Sequence, residues 1–272
     1  MDKFVFLPFI AFVVGLLTVQ AGVSGAFLLL PVQISLLGIT SPVASATNLA
    51  YNLIAIPVAI LRFKQEKRVL LPLILAITSG AIPGVILGSF LRTTFLLNPK
   101  PFKLFVGIVL GLLGIRLLLP QKRQNLSVTQ VKIKRHSFLK VEFGFGQRVF
   151  SFSPILIFFI TLLTSTISGA YGIGGGALLS PLLISAFRLP PHAIASATLS
   201  GTFVTSGIGV ISYIKFGYSP NWKIAALFGI GGMGGMYIGA RLQKHIPSFL
   251  IKLILGLLIF VPAFKYILSY FR

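Results

Sequence analysis

Four glycines in five positions, Gly172-Ile173-Gly174-Gly175-Gly176, interrupt a stretch that is apolar on both sides. In lipid such a run opens a helix and exposes backbone N–H groups that hydrocarbon cannot satisfy, so the break must face protein or a wet cavity. N–H groups at the start of a helix opening at Gly176 carry the positive end of its dipole, and an anion is their natural ligand. No Lys-Ser/Thr follows the glycines and no βαβ pattern surrounds them, which excludes a Walker A loop and a dinucleotide fingerprint. Close helix packing through small residues stays open as the alternative. A weaker copy stands earlier in the chain, with Gly22, Ser24, Gly25 and Ala26. Downstream of each cluster lies a polar set: Ser45, Thr47, Asn48 and Asn52, then Ser196, Thr198, Ser200 and Thr202. Asn48/Asn52, Ser196/Ser200 and Thr198/Thr202 are i,i+4 pairs and share helix faces. Hydroxyls and amides donate to anionic oxygens without adding charge; interhelical hydrogen bonding is the competing use.

Other chemistries lack their parts. The only acids are Asp2, Glu66 and Glu142, all outside the long apolar runs, so carboxylate proton relays and cation sites have nothing to build on there. There is no Cys, and His136, His192 and His245 are scattered, so no metal site and no cofactor is expected. No Ser-His-Asp set or carboxylate pair falls in the apolar part, and no catalytic residue or enzyme activity is expected. Gln20 and Gln33 read as path-lining or packing groups, Tyr171 as a stacking or packing ring, His192 as a helix-start cap, and Arg116 and Lys265 as cations snorkelling to the interface.

The elements that must hold these residues are ten apolar helical segments. They run at about 4–20, 26–37, 43–61, 70–91 and 102–119, then 153–169, 176–187, 193–214, 222–242 and 249–270. A full span needs about 20 residues, and seven or eight of the runs are expected to qualify. Segments 26–37 and 176–187, at 12 residues each, rise only about 18 Å and read as half-helices. Ser41-Pro42 and Pro190-Pro191 look like helix starts. Gly80, Gly84 and Gly88, and Gly231, Gly235 and Gly239, fall every four residues and read as helix contact faces. By that reading Gly174→Val or Gly175→Val abolishes function, whereas Gly84→Ala is mild.

The two halves repeat. Residues 21–26 align with 171–176 at an offset of 150, Ala44 to Thr47 with Ala195 to Thr198 at 151, and Gly80/84/88 with Gly231/235/239 at 151. The expected organisation is a first repeat at 1–119, a basic linker at 120–150 and a second repeat at 151–272. The linker alternates apolar and polar residues over Val128–Lys134 and Phe138–Phe145, which suggests a small β-hairpin around His136-Ser137.

Over 272 residues, 56% are apolar and 10% charged, with 24 Lys plus Arg against three acids, a net charge of +21. That composition excludes a disordered or soluble chain and points to an all-α polytopic membrane protein. The charge is a topology signal more than a partner signal. Arg62, Lys64, Lys67 and Arg68 in loop 62–68, and the 120–150 linker, are separated by two spans and share a side, which the positive-inside rule makes cytoplasmic. The equivalent loop 213–219 keeps only Lys215, which favours an inverted second half. Nucleic acid is not expected as a partner; the bilayer is.

Gly-x-Gly-Gly-Gly, then Pro181, then Ala-Ser-Ala-Thr at 195–198, resembles the TauE/SafE sulfite exporter family, with Gly22 to Gly25, Pro31 and Ala44 to Thr47 as the weaker copy over essentially the whole chain. The resemblance implies a secondary transporter of the prokaryotic plasma membrane for sulfite, organosulfonates or related sulfur-containing or carboxylate anions. It implies one half-site at Gly172, Gly174, Gly175, Gly176, Ser196 and Thr198, and another at Gly22, Gly25, Ser45 and Thr47. Ser24 and Ala26 depart from the glycine pattern, which implies either a more closed first half-site or a different donor set there. Ser24, Asn48, Asn52 and Ser200 complete the expected substrate-binding set. Alternating access between the halves is the expected mechanism, with a proton or sodium as coupling ion and a homodimer kept open. An anion channel and a non-transporting scaffold or assembly protein are the rival readings.

Overall fold

A computed structural model describes residues 5–19, 23–118, 131–137, 139–185, 187–242 and 248–271. The first half holds α1 (Leu7–Thr18), α2 (Ala26–Leu36), α3 (Pro42–Gln65), α4 (Leu71–Thr94) and α5 (Pro99–Leu118). Three strands follow, β1 (Lys132–His136), β2 (Val141–Phe145) and β3 (Arg148–Phe152). The second half holds α6 (Pro154–Tyr171), α7 (Gly176–Ser185), α8 (Pro191–Lys215), α9 (Trp222–Leu242) and α10 (Ser248–Phe271). Proline opens α3, α6 and α8, where its missing N–H costs nothing. Ser41 occupies the N-cap position of α3 but its hydroxyl makes no capping bond.

The chain is a mostly helical polytopic membrane protein. Five helices among the described residues are long and apolar enough to cross a bilayer: α3, α4, α6, α8 from Ala193, and α9. The seven or eight expected include segment 249–270, whose first side chains lie outside the described residues. At 12 residues α1 covers about 18 Å, because its helix stops at Thr18. On the long helices Leu75, Leu87, Leu163 and Ile230 point outward, where a soluble protein would place polar groups.

The glycine ridges set the helix pairing. Gly80, Gly84 and Gly88 of α4 lie against the backbone of Phe158, Leu162 and Thr166, so α4 and α6 run the same way. Gly231, Gly235 and Gly239 of α9 lie against Pro8, Phe12 and Leu16, so α1 and α9 do too. A methyl on Gly84 would stand 2.6 Å from the Leu162 carbonyl oxygen and 2.8 Å from Ser165 Cβ. Gly84→Ala is therefore not mild: the obstacle is backbone, which cannot rotate away. Other pairs run in opposite directions. Leu49 of α3 meets Gly209 of α8 while Asn52 bonds Ser206, and Gly107 of α5 meets Ile267 of α10 while Leu118 meets Gly256.

Among the described residues the linker is a three-stranded antiparallel meander rather than a hairpin, with its first strand at Lys132–His136; positions 128–130 of the expected strand lie outside the described residues. Val141 pairs with Phe152 and Phe143 with Phe150, placing aromatic rings on one face. That face buries Val141, Phe143, Phe145 and Phe152 against Leu73 and Ile77 of α4, Ile157 of α6, and Leu179 and Leu183 of α7. Burial against the helices, which alternation alone does not report, recruits β3. The sheet is joined to the 62–68 loop by the Val131 N–H donating to the Lys67 carbonyl at 3.3 Å. In that loop Glu66 pairs with Arg62 at 3.2 Å and with Arg68, whose guanidinium lies 4.7 Å from the Phe63 ring centre. Burial pulls the Arg68 guanidinium below its ordinary value, and the Glu66 charge opposes that shift.

A second buried arginine stands at the far end of α4. Arg92 donates to the Thr40 carbonyl at 2.6 Å and to the Leu96 carbonyl, and stacks 3.5 Å over the centre of Phe102. It fastens the α2–α3 and α4–α5 connections together. Lys265 is exposed, as a snorkelling cation would be. Gln20, Gly22 and His245 lie outside the described residues, as do the side chains of Arg116, His136 and His192.

Candidate functional site

The break between α6 and α7 is held in shape by two left-handed glycines. Gly172 closes α6 at φ +90°, and Gly174 follows at φ +76°. A Cβ on Gly172 would sit 2.5 Å from Ser45 Cα, and one on Gly174 2.6 Å from Thr202 Cγ2, so α3 and α8 both pass over bare backbone. Carbonyls at the end of α6 are taken by side chains: Tyr213 donates to Gly169 at 2.9 Å and Ser45 to Ala170 at 3.3 Å. Asn52 donates to the Ile173 carbonyl at 3.2 Å and to Ser206 Oγ at 3.0 Å.

The N–H groups that open α7 are not bare. Gly176 N–H donates to Thr202 Oγ1 at 2.9 Å and Gly175 N–H to Thr205 Oγ1 at 3.3 Å. Each threonine hydroxyl in turn donates within α8, Thr202 to Thr198 O and Thr205 to Gly201 O, both at 2.8 Å. The positive end of α7 is thus capped by neutral hydroxyls from the neighbouring helix. Two buried polar atoms beside it, Asn52 Oδ1 and Ser165 Oγ, have no partner. Ser165 Oγ lies directly against Gly175.

The first break, before α2, is tied to the second. Tyr171 donates to the Phe27 carbonyl at 2.9 Å, so its ring packs at the junction of the two breaks. Asn48 donates to the Ala26 carbonyl at 2.6 Å and accepts from Gln33 Nε2 at 3.2 Å. Ser24 and Gly25 are buried at this break.

The expected residues divide by place. Gly172, Gly174, Gly175, Gly176, Ser45, Asn52 and the backbone of Thr198 meet at the second break. Ser24, Gly25 and Asn48 meet at the first. Thr47 and Ser196 do neither. Thr47 bonds Val43 O at 2.7 Å and receives Asn221 N–H at 2.9 Å, while Ser196 donates to Arg68 O at 2.6 Å. They hold helix ends together. Ser200 is half-buried on α8. Thr205, Ser206 and Ser165 are the polar groups that spacing alone passed over. Thr198, Thr202, Thr205 and Ser206 form one i, i+4, i+7/i+8 stripe, and following it one turn further would have found them. Among the described residues no group of three or more His, Cys, Asp or Glu could hold a metal ion.

Comparison with known proteins agrees with this architecture. The profile of the sulfite exporter TauE/SafE family matches residues 7–266. A probable membrane transporter protein of Xylella fastidiosa is 26% identical over 275 residues, covering 93% of this chain and 89% of that one. The probable membrane transporter protein YjnA of Bacillus subtilis is 26% identical over 262 residues, covering 93% and 96%. YunE of the same organism, also named a probable membrane transporter protein, is 24% identical over 181 residues, covering 66% of this chain and 64% of its own. No solved structure matches the chain. With nearly its whole length matched, the chain belongs to the sulfite exporter TauE/SafE family and is a multi-pass membrane transporter.

Proposed function

We propose that the protein carries small anions, namely sulfite, organosulfonates or related sulfur-containing or carboxylate anions, across the prokaryotic plasma membrane. The observation that carries this reading is the capped start of α7. Two N–H groups at a helix N-terminus are held by neutral threonine hydroxyls. An anion would replace each such bond with a stronger charge-assisted one. The threonines would then turn fully to the carbonyls they already contact. No acidic residue falls in the apolar segments to repel the anion. The set Gly172, Gly174, Gly175, Gly176, Asn52 and Thr198 is the core of this site, with Ser24, Gly25 and Asn48 on the side of the first half.

Movement would come from rocking one half, 1–119, against the other, 151–272. Helix pairing supports an inverted repeat. Exchanging the halves turns the α4–α6 pair into the α9–α1 pair, and the facing residues Phe158, Leu162 and Thr166 into Pro8, Phe12 and Leu16. The equivalent helices α3 and α8 run in opposite directions, as do α5 and α10. Loop 62–68 and the sheet would face the cytoplasm under the positive-inside rule. A proton carried with the substrate, or sodium, would serve as coupling ion.

Uptake of labelled sulfite or methanesulfonate into proteoliposomes tests the reading. Saturable uptake in wild type, lost in Gly174→Val, is expected; equal uptake in the two proteins would overturn it.

A further inference from the structure

The two breaks differ in their unspent donors. At α7 the first N–H groups are already bonded to Thr202 and Thr205. At α2 three fully buried hydroxyls donate to no acceptor among the described residues: Thr18 and Tyr51 at 0% exposure and Ser24 at 1%, with the Gly25 N–H facing the Tyr51 oxygen. The Thr18 and Tyr51 hydroxyls converge on Gly25, the N-cap of α2. A Cβ there would stand 3.0 Å from the Tyr51 hydroxyl and 3.5 Å from Thr18 Oγ1, with Val14 Cγ1 at 2.7 Å on the third side. Ser24 is the adjoining residue. Behind Tyr51, Gly232 of α9 lets the ring lie flat, its hydroxyl 2.7 Å from where a Cβ would be. The Ala26 and Phe27 N–H groups that open α2 have no acceptor within their own helix, while Leu28 and Leu29 already bond the Gly25 carbonyl.

Unpartnered buried hydroxyls are costly in a folded protein. Apart from the Gly25 N–H at the Tyr51 oxygen, nothing described in the packing of α1, α2 and α3 uses these three. We propose that Thr18, Ser24 and Tyr51, with the start of α2, form an oxyanion subsite selective for a single negative charge. This rests on the anion-transport reading above and adds a location and a charge preference to it. The donors are hydroxyls and backbone N–H groups, and none of the side chains meeting Gly25 is charged. Such a set can hydrogen-bond three oxygens of a sulfonate or hydrogen sulfite but supplies no net positive charge. The cost of taking an ion from water rises with the square of its charge, so a dianion such as sulfate is rejected while a monoanion is kept. Val14 closes the subsite, and separation of α1 from α2 admits the ligand.

The test uses the full-length protein purified in detergent, with thermal stabilisation as the readout of binding. Methanesulfonate is expected to stabilise wild type and sulfate is not. Sulfite is expected to stabilise less as pH rises and hydrogen sulfite loses its proton, while the methanesulfonate response stays flat. Thr18→Val and Ser24→Ala each remove a hydroxyl without a partner among the described residues, and Tyr51→Phe removes one that faces only the Gly25 N–H. Their stability without ligand is expected to stay the same or rise, and their apparent methanesulfonate affinity to fall about tenfold or more. A merely structural hydroxyl would show the opposite pattern. Unchanged affinity in all three variants, or equal stabilisation by sulfate, overturns the subsite. If Thr202→Val alone loses the methanesulfonate response, the subsite is wrong while anion transport stands. If no anion stabilises wild type and no anion enters proteoliposomes, both readings fall.

Discussion

Replacing Thr202 by valine isolates the capping bond at the start of α7. The side chains have nearly the same shape, so the packing of Thr202 Cγ2 against Gly174 is kept. What is lost is the acceptor for the Gly176 N–H at 2.9 Å. Thr202 also donates to Thr198 O, but a helical carbonyl keeps its own backbone partner and loses little. The N–H has no other acceptor in its helix. A buried unsatisfied N–H costs about 1–3 kcal/mol, and this is the destabilisation expected. Thr164→Val is the matched control. Its hydroxyl donates only to the Ile160 and Thr161 carbonyls of its own helix and receives no N–H, so a change within about 0.5 kcal/mol is expected. Denaturation of the purified variants in mixed micelles gives both values. Equal losses in the two variants would refute the assignment of Thr202 as the cap.

Other outcomes follow from the same geometry. Gly84→Ala and Gly235→Ala should each cost about 1–3 kcal/mol, because the added methyl meets backbone of the facing helix. Gly111→Ala, with nothing within 4 Å of the new methyl, should be neutral or stabilise by up to about 1 kcal/mol; the same unfolding assay reads all three. Arg92→Met strands the Thr40 and Leu96 carbonyls and should cost about 2–5 kcal/mol, seen as reduced yield of folded protein on size exclusion. Lys140, 2.8 Å from Glu142, holds that carboxyl below its ordinary value. The contribution is therefore present above the unfolded carboxylate pKa and fades as pH falls through the folded one. Glu142 is half-buried and solvent-screened, so Glu142→Gln should lower neutral-pH stability only slightly and flatten the acid limb of a melting-temperature profile.

Much of the architecture is written in local pattern. Segment 222–242 coincides with α9, and the half-helices start at Ala26 and Gly176 as the glycine clusters imply. The glycine ridges are contact faces because spacing of four places them on one stripe. Less local features are not legible that way. Which helix each ridge meets depends on the arrangement in three dimensions, and so does the cost of Gly84→Ala. Strand β3 exposes Val149 and Ser151 on its outer side, and only burial of Phe152 beneath the sheet reveals it. Nothing local in the sequence marks Arg92, which is buried between two connections. At the candidate site, residue type singles out Asn52 and the glycines as expectations. It could not show that Thr202 and Thr205 occupy the α7 N–H groups, or that the hydroxyls of Thr18 and Tyr51, on α1 and α3, meet at Gly25.

Counterflow in proteoliposomes tests the central claim most directly. Vesicles preloaded with unlabelled methanesulfonate and diluted into a trace of labelled methanesulfonate should accumulate label transiently, with saturable dependence on the internal concentration, and Gly174→Val should abolish the overshoot. Label that merely equilibrates without overshoot or saturation would indicate an anion channel. Entry no faster than into protein-free vesicles would contradict anion transport altogether.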